Sequence, residues 1–105
     1  MLTSIEARIF SRLSDAYLGD DGLLALQVHL LQQPEAGDLV RGSGGVRKMR
    51  WALPGRGKSG GLRVIYFLRL RQGQVWLLTL CAKNETDNIS GQLLRKIKEE
   101  TDEES

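Results

Sequence analysis

After Pro34 the apolar residues of this 105-residue chain change their spacing from about every four positions to every other position. That change constrains the fold more than any other feature, because a helix shows one face with a period near 3.6 and a strand with a period of 2. Before Pro34, Ile5, Ile9, Leu13 and Tyr17 recur at four, with Phe10 and Ala16 beside them. They predict a helix from Thr3 to about Leu18, capped by Thr3 or Ser4 with Glu6 in its first turn. Gly19, Asp20 and Asp21 interrupt the pattern, and Asp20 or Asp21 is placed to cap a second helix ending before Pro34. Its stripe is Leu23, Leu26, Leu30 and Leu31, widened by Leu24 and Val28. So short a link makes the two an antiparallel helical hairpin.

Beyond Pro34 the pattern predicts strands. Asp38 to Gly42 reads as a short one, followed by a turn at Ser43, Gly44 and Gly45. Val46 to Trp51 alternates, with Val46, Lys48 and Arg50 on one side and Arg47, Met49 and Trp51 on the other. A glycine-rich, basic loop from Pro54 to Gly61 leads to Leu62–Leu70, a run of β-branched and aromatic residues. Gln72 and Gly73 turn the chain into a second such run, Gln74–Ala82. Both runs are apolar on both faces and should be the central strands. Ser90 can cap a last helix through Leu93, Leu94 and Ile97, and the acidic end from 99 to 105 is expected to fray. The fold class expected is therefore α+β in a single domain, 1–105: a helical hairpin, an antiparallel sheet of about four strands and a short terminal helix.

Charge is segregated along this framework. Arg41, Arg47, Lys48, Arg50, Arg56, Lys58, Arg63, Arg69, Arg71 and Lys83 are ten of the 15 basic residues, and no Asp or Glu lies between Asp38 and Glu85. All 13 acidic residues fall outside the block. A one-sign field of this kind attracts a polyanion, since neutralising phosphates releases condensed counterions; a solvated basic face is the alternative. The only cysteine, Cys81, cannot form an internal disulfide and excludes a cysteine-based zinc site. No apolar run approaches the roughly 20 residues of a membrane span, and the N-terminus lacks a secretory pattern, so the expected location is cytoplasmic, away from membranes. His29, among leucines and without a metal-ligating neighbour, reads as a structural histidine.

Two motif matches in the loop fail on context. Gly55 to Gly60 satisfies G-x-G-x-x-G, and Ala52 to Ser59 a relaxed P-loop ending in Gly-Lys-Ser. Both motifs need a helix directly after the loop, whereas Leu62–Phe67 is a strand pattern; neither has its acidic partner before Glu85.

A third match is to a family. Gly42-Ser43-Gly44-Gly45-Val46-Arg47-Lys48-Met49-Arg50-Trp51, then Gly55 through Phe67, then Cys81-Ala82-Lys83-Asn84-Glu85, resemble the HigB branch of the RelE-like toxins, the toxin halves of bacterial type II toxin-antitoxin modules. Gln33 to Asp38 is similar to the family's segment between helices and sheet. The resemblance spans about residues 20 to 95 and implies the compact RelE/ParE fold. It further implies ribosome-dependent cleavage of mRNA and inhibition by a cognate antitoxin, HigA-like and of helix-turn-helix type. Cys81 stands where the family pattern has an aromatic, usually tyrosine, and no tyrosine follows Lys83.

The residue inventory narrows the chemistry. Cleaving RNA through its own 2'-hydroxyl requires a base, an acid and stabilisation of the phosphorane, often supplied by histidines or by carboxylate-bound metal. The basic block holds neither, so the expected site uses lysine and arginine, with no metal and no cofactor. Crowded cations lower a lysine's pKa, so Lys58 on the loop is the candidate for proton transfer. Arg63, on a strand, is the candidate to grip the scissile phosphate. By resemblance the catalytic cluster is Lys58, Arg63 and Lys83, with Arg56 beside them. Arg47, Lys48 and Arg50 are candidates for ribosomal or messenger RNA contacts, or else solvent-facing strand charges. Trp51 and Trp76 either stack on bases or belong to the core, and Tyr66 either assists the site or caps the core. Two other readings remain open on the same fold: a ParE-like inhibitor of gyrase, and a catalytically silent RNA- or ribosome-binding module.

Overall fold

The computed structural model describes residues 2–52, 61–82 and 89–104. In chain order these form β1 (Thr3–Glu6), α1 (Arg8–Tyr17), α2 (Gly19–Gln32), β2 (Asp38–Leu39), β3 (Val46–Trp51), β4 (Leu62–Arg69), β5 (Gln74–Ala82) and α3 (Gly91–Glu100). Short 3-10 turns at Leu70–Gln72 and Thr101–Glu103 complete the described residues. The sheet has five strands in the order β1-β5-β4-β3-β2. All its pairings are antiparallel except β1 with β5.

The expected α+β class holds, with two corrections. Thr3–Glu6 is a strand, not the first turn of a helix, so the sheet has five strands and is mixed. The four-residue spacing from Ile5 to Ile9 was a coincidence of composition: Ile5 packs on the sheet, while Ile9 is exposed. Pairing with β5 prevails because an apolar central strand would otherwise leave one edge unpaired; Thr3 and Ala7 donate to the carbonyls of Gly73 and Leu77 at 2.8 and 2.9 Å. Helix α1 therefore begins at Arg8 and buries Phe10 and Ser14, with no side-chain cap from its own N-cap, Ala7. The acidic end is the second correction. Thr101 is buried, Asp102 pairs with Arg69 at 3.0 Å, and Glu104 accepts the Arg8 backbone N–H at 2.8 Å, so a carboxylate from the far end of the chain caps α1.

The expected strands Val46–Trp51 and Gln74–Ala82 are found with those limits, and β4 stops one residue short of Leu70. The short strand expected over Asp38–Gly42 is reduced to two residues. Helices lie on both faces of the sheet. One core joins Phe10, Leu26 and Leu30 of the hairpin to Met49, Val64, Tyr66 and Leu77. The other joins Leu94 of α3 to Val46, Ile65, Phe67, Trp76 and Leu78. Of the expected α2 stripe, Leu26 and Leu30 are buried, but Leu24, Val28 and Leu31 are exposed. Ser90 caps α3 as expected, accepting the Leu93 N–H at 3.1 Å. No helix among the described residues is long and apolar enough to cross a membrane.

Candidate RNA-processing face

The register across β3, β4 and β5 sets which candidate residues share a face. Arg50 lies opposite Arg63, and Arg63 opposite Cys81; one step further along, Lys48 lies opposite Ile65, and Ile65 opposite Thr79. Directly opposed residues share a face, so Lys48, Arg50, Arg63, Thr79 and Cys81 all project to the α3 side of the sheet. A bulge makes this possible. Ile65 pairs with Thr79 but Tyr66 with Leu77, so Leu78 is the extra residue, and the alternation of β5 inverts beyond it. Without it Cys81 would turn to the other face.

Helix α3 covers only one end of this face. Its buried Leu94 packs with Val46, Phe67 and Trp76. Arg50 and Arg63 are each four residues away along their strands, about 13 Å at the usual strand rise. At their end, Trp51, Leu62 and Ala82 are aligned in register. Arg56, Lys58 and Lys83, the other candidate catalytic cations, lie outside the described residues, in sequence just beyond those aligned strand ends.

The cations of the described chain divide by what they hold. Arg69 donates to Thr101 and Asp102 and lies over the rings of Phe67 and Trp76, 5.3 and 4.9 Å from their centroids. Lys98 donates to the Gly44 carbonyl at 2.6 Å and covers the other approach to Phe67. Arg47 donates to the carbonyls of Gly37 and Glu35. These cations are structural fasteners. Among the described residues, by contrast, Lys48, Arg50 and Arg63 have no ion pair and no side-chain hydrogen bond. Arg63 is 9% exposed. Arg50, directly opposite, is exposed; like charges on opposed positions disfavour each other, and an anion bound between them would offset that.

The other candidates are placed as follows. Tyr66 is fully buried on the hairpin face, away from Arg63. Its hydroxyl accepts the Gly37 N–H and donates to the Pro34 carbonyl, both at 2.8 Å, so its position is that of a core cap with no ring surface for a base. Burial pushes its phenol pKa above the ordinary value, an effect partly offset by the Gly37 bond and by the nearby Arg47 charge. Trp76 is 2% exposed, stacked on Phe67 at 6.1 Å, and belongs to the core. Trp51 is only half-buried and meets the His29 ring at 5.2 Å. That long-range pairing, between a helix and a strand, has no signature in sequence spacing.

A small mixed sheet flanked by helices, with two opposed arginines that have no ion pair among the described residues at one end of a face, defines a compact α+β protein. The family described as RelE toxin of RelE / RelB toxin-antitoxin system matches residues 7–103, and the chain belongs to that family. Membership implies a cognate antitoxin as partner. The fold is also similar to that of the E. coli toxin RelE, solved in the free state as a double arginine-to-alanine variant. The TM-score is 0.61 at 18% identity, over 82% of this chain and 87% of that one.

Proposed function

We propose that this toxin is a ribosome-dependent mRNA endoribonuclease of the HigB branch, acting in the cytoplasm without metal and held inactive by a HigA-like, helix-turn-helix antitoxin. The observation that carries the reading is the opposed pair Arg50 and Arg63, with Lys48 beside them and no carboxylate partner among the described residues. Arg63 grips the scissile phosphate from a strand that pairing on both sides keeps rigid. It stabilises the charge that grows on the non-bridging oxygens as the 2'-oxygen attacks phosphorus. The P–O5' bond then breaks, leaving a 2',3'-cyclic phosphate and a 5'-hydroxyl. Lys58 takes the 2'-hydroxyl proton, and Arg56 and Lys83 complete the cationic cluster. A proton returns to the leaving 5'-oxygen. Lys48 and Arg50 contact the neighbouring backbone of the message or of ribosomal RNA.

Two features favour lysine-arginine chemistry over metal-assisted chemistry: the basic block from Arg41 to Lys83 contains no carboxylate and no histidine. The antitoxin's expected seat includes the outer stripe of α2, where Leu24, Val28 and Leu31 are exposed on one helical face. The test is primer extension on a defined message after incubation with the purified toxin and programmed ribosomes. Cuts that need ribosomes are expected. An intact message together with growth arrest on expression would overturn the nuclease reading in favour of a gyrase-directed toxin, to be checked by DNA supercoiling.

A further inference from the structure

Arg63 stands between Arg50 on β3 and Cys81 on β5, and directly opposed residues carry their Cβ atoms about 4.5–5.5 Å apart on one face of the sheet. The row therefore reads cation, cation, thiol. Arg63 is nine-tenths buried, with no ion pair and no side-chain hydrogen bond among the described residues. A guanidinium so placed needs an anion. In catalysis the scissile phosphate meets that need. Within the row, the one group that simple chemistry turns into an anion is Cys81, the only cysteine of the chain.

Three features set this thiol apart from a packing cysteine. The extra residue Leu78 inverts the alternation of β5, and only through it does Cys81 face Arg63 instead of the hairpin side. Cys81 belongs to neither of the two hydrophobic cores. Helix α3 covers the other end of the face, where Leu94 packs on Val46, Phe67 and Trp76, and 7% of Cys81 remains exposed. Hydrogen peroxide is hardly larger than water, and a neighbouring guanidinium favours the thiolate, the form that attacks it.

We propose that Cys81 is a peroxide-oxidised switch: its sulfenate takes the guanidinium of Arg63, and a small thiol releases it. The thiol proton leaves to solvent, and the thiolate sulfur attacks one oxygen of hydrogen peroxide. The O–O bond breaks, and the departing hydroxide takes up a proton to become water. Sulfur loses two electrons and the peroxide gains them, which leaves Cys81 as a sulfenic acid. Once ionised, its oxygen accepts a charge-assisted hydrogen bond from Arg63. A first thiol then forms a mixed disulfide with loss of water, and a second displaces the Cys81 sulfur and leaves within a disulfide of its own. That the oxidised toxin stops cutting RNA rests on the nuclease reading; that Cys81 oxidises and takes Arg63 does not.

The test uses the whole reduced toxin, in which a single cysteine makes any thiol label unambiguous. One portion receives equimolar hydrogen peroxide with dimedone, which traps sulfenic acid, and is followed by mass spectrometry. Another receives peroxide alone and is assayed for single-turnover cleavage of a ribosome-bound message. Wild type is expected to take up one dimedone. Arg63→Met and Arg63→Gln, which remove the charge, should label at least roughly fivefold more slowly because less thiolate is present, while Arg63→Lys labels nearly as fast as wild type; all are compared at matched thermal midpoints. Peroxide alone should slow cleavage roughly 100-fold, the loss that follows removal of one transition-state donor, and dithiothreitol should restore it. Cys81→Ala should cut equally fast with and without peroxide. A folded toxin that takes up no dimedone, although its thiol reacts in urea, overturns the oxidation site. Equal labelling of wild type and both neutral variants overturns the pairing with Arg63. An adduct without loss of cleavage, or a loss that dithiothreitol does not reverse, overturns the switch. A wild type that labels but never cuts leaves the oxidation site standing and the nuclease reading fallen; one that cuts but never labels does the reverse.

Discussion

Tyr66 and Arg47 oppose each other across β4 and β3, and both hold the backbone of residues 34–37 against the sheet. The sequence left Tyr66 open between site and core, because a hydroxyl suits either, and its partners lie 29 and 32 residues away. Tyr66→Phe strands the Gly37 N–H and the Pro34 carbonyl. It should cost about 1–3 kcal/mol, read as a lower urea midpoint at unchanged slope. The same residue sets an alkaline limit. The folded protein holds the phenolic proton more tightly than the unfolded chain does, since burial raises the pKa. That stabilisation is complete below about pH 10, the unfolded value, and is lost as pH climbs through the folded value. Tyr66→Phe should flatten this alkaline fall; a fall of unchanged steepness would assign it to other groups. Gly37 has no room to vary, because a Cβ there would lie 2.9 Å from Tyr66 Cε1 and 3.1 Å from the Lys48 carbonyl oxygen. Gly37→Ala should therefore destabilise by a margin similar to Tyr66→Phe, and the double variant by less than the sum, because both act on one contact.

At the scale of elements, periodicity predicted well wherever burial is decided locally. β3 and β5 are found at their expected limits because alternation and β-branching agree there with the tertiary context. Both ends of the chain were misread for the same reason: each is fixed by a distant partner. β1 is a strand because β5 needs an edge partner, and the acidic end is ordered because Arg69 and the start of α1 need acceptors. Removing residues 101–105 should lower stability by about 1–3 kcal/mol, through the lost cap and the freed Arg69. Glu104→Gln alone should cost less than about 1 kcal/mol, because a neutral amide oxygen still accepts. Amide exchange at Arg8 is the direct readout, expected to quicken in the truncated chain. An unchanged rate would mean that Glu104 does not cap α1. α3 has a comparable dependence, as Gly91 lies so close to the Arg41 carbonyl that a Cβ would overlap it. Gly91→Ala should shift or loosen α3.

For the whole molecule, the segregation of charge was readable at once, and Arg63 drew notice as a cation on an apolar strand. What the sequence could not supply was the sorting of ten cations by role. That depends on register: Arg69 meets Asp102 and Arg47 meets a backbone carbonyl, whereas Arg50 stands opposite Arg63 and has no ion pair among the described residues. Nor was the His29–Trp51 contact legible, because it joins a helix to a strand 22 residues on. If the face binds several phosphates, the affinity for single-stranded RNA should fall with salt at a log-log slope of roughly −0.7 per phosphate. A flat dependence would contradict a polyanion site. Whether Arg63 holds the scissile phosphate is decided by the single-turnover rate of cleavage of a ribosome-bound message by wild type, Arg63→Lys and Arg63→Ala, each matched for thermal stability. A loss of roughly 100- to 1,000-fold is expected in Arg63→Ala, with only part of it recovered by lysine, which brings charge without the two-pronged grip. A folded Arg63→Ala that cuts at the wild-type rate would contradict that role.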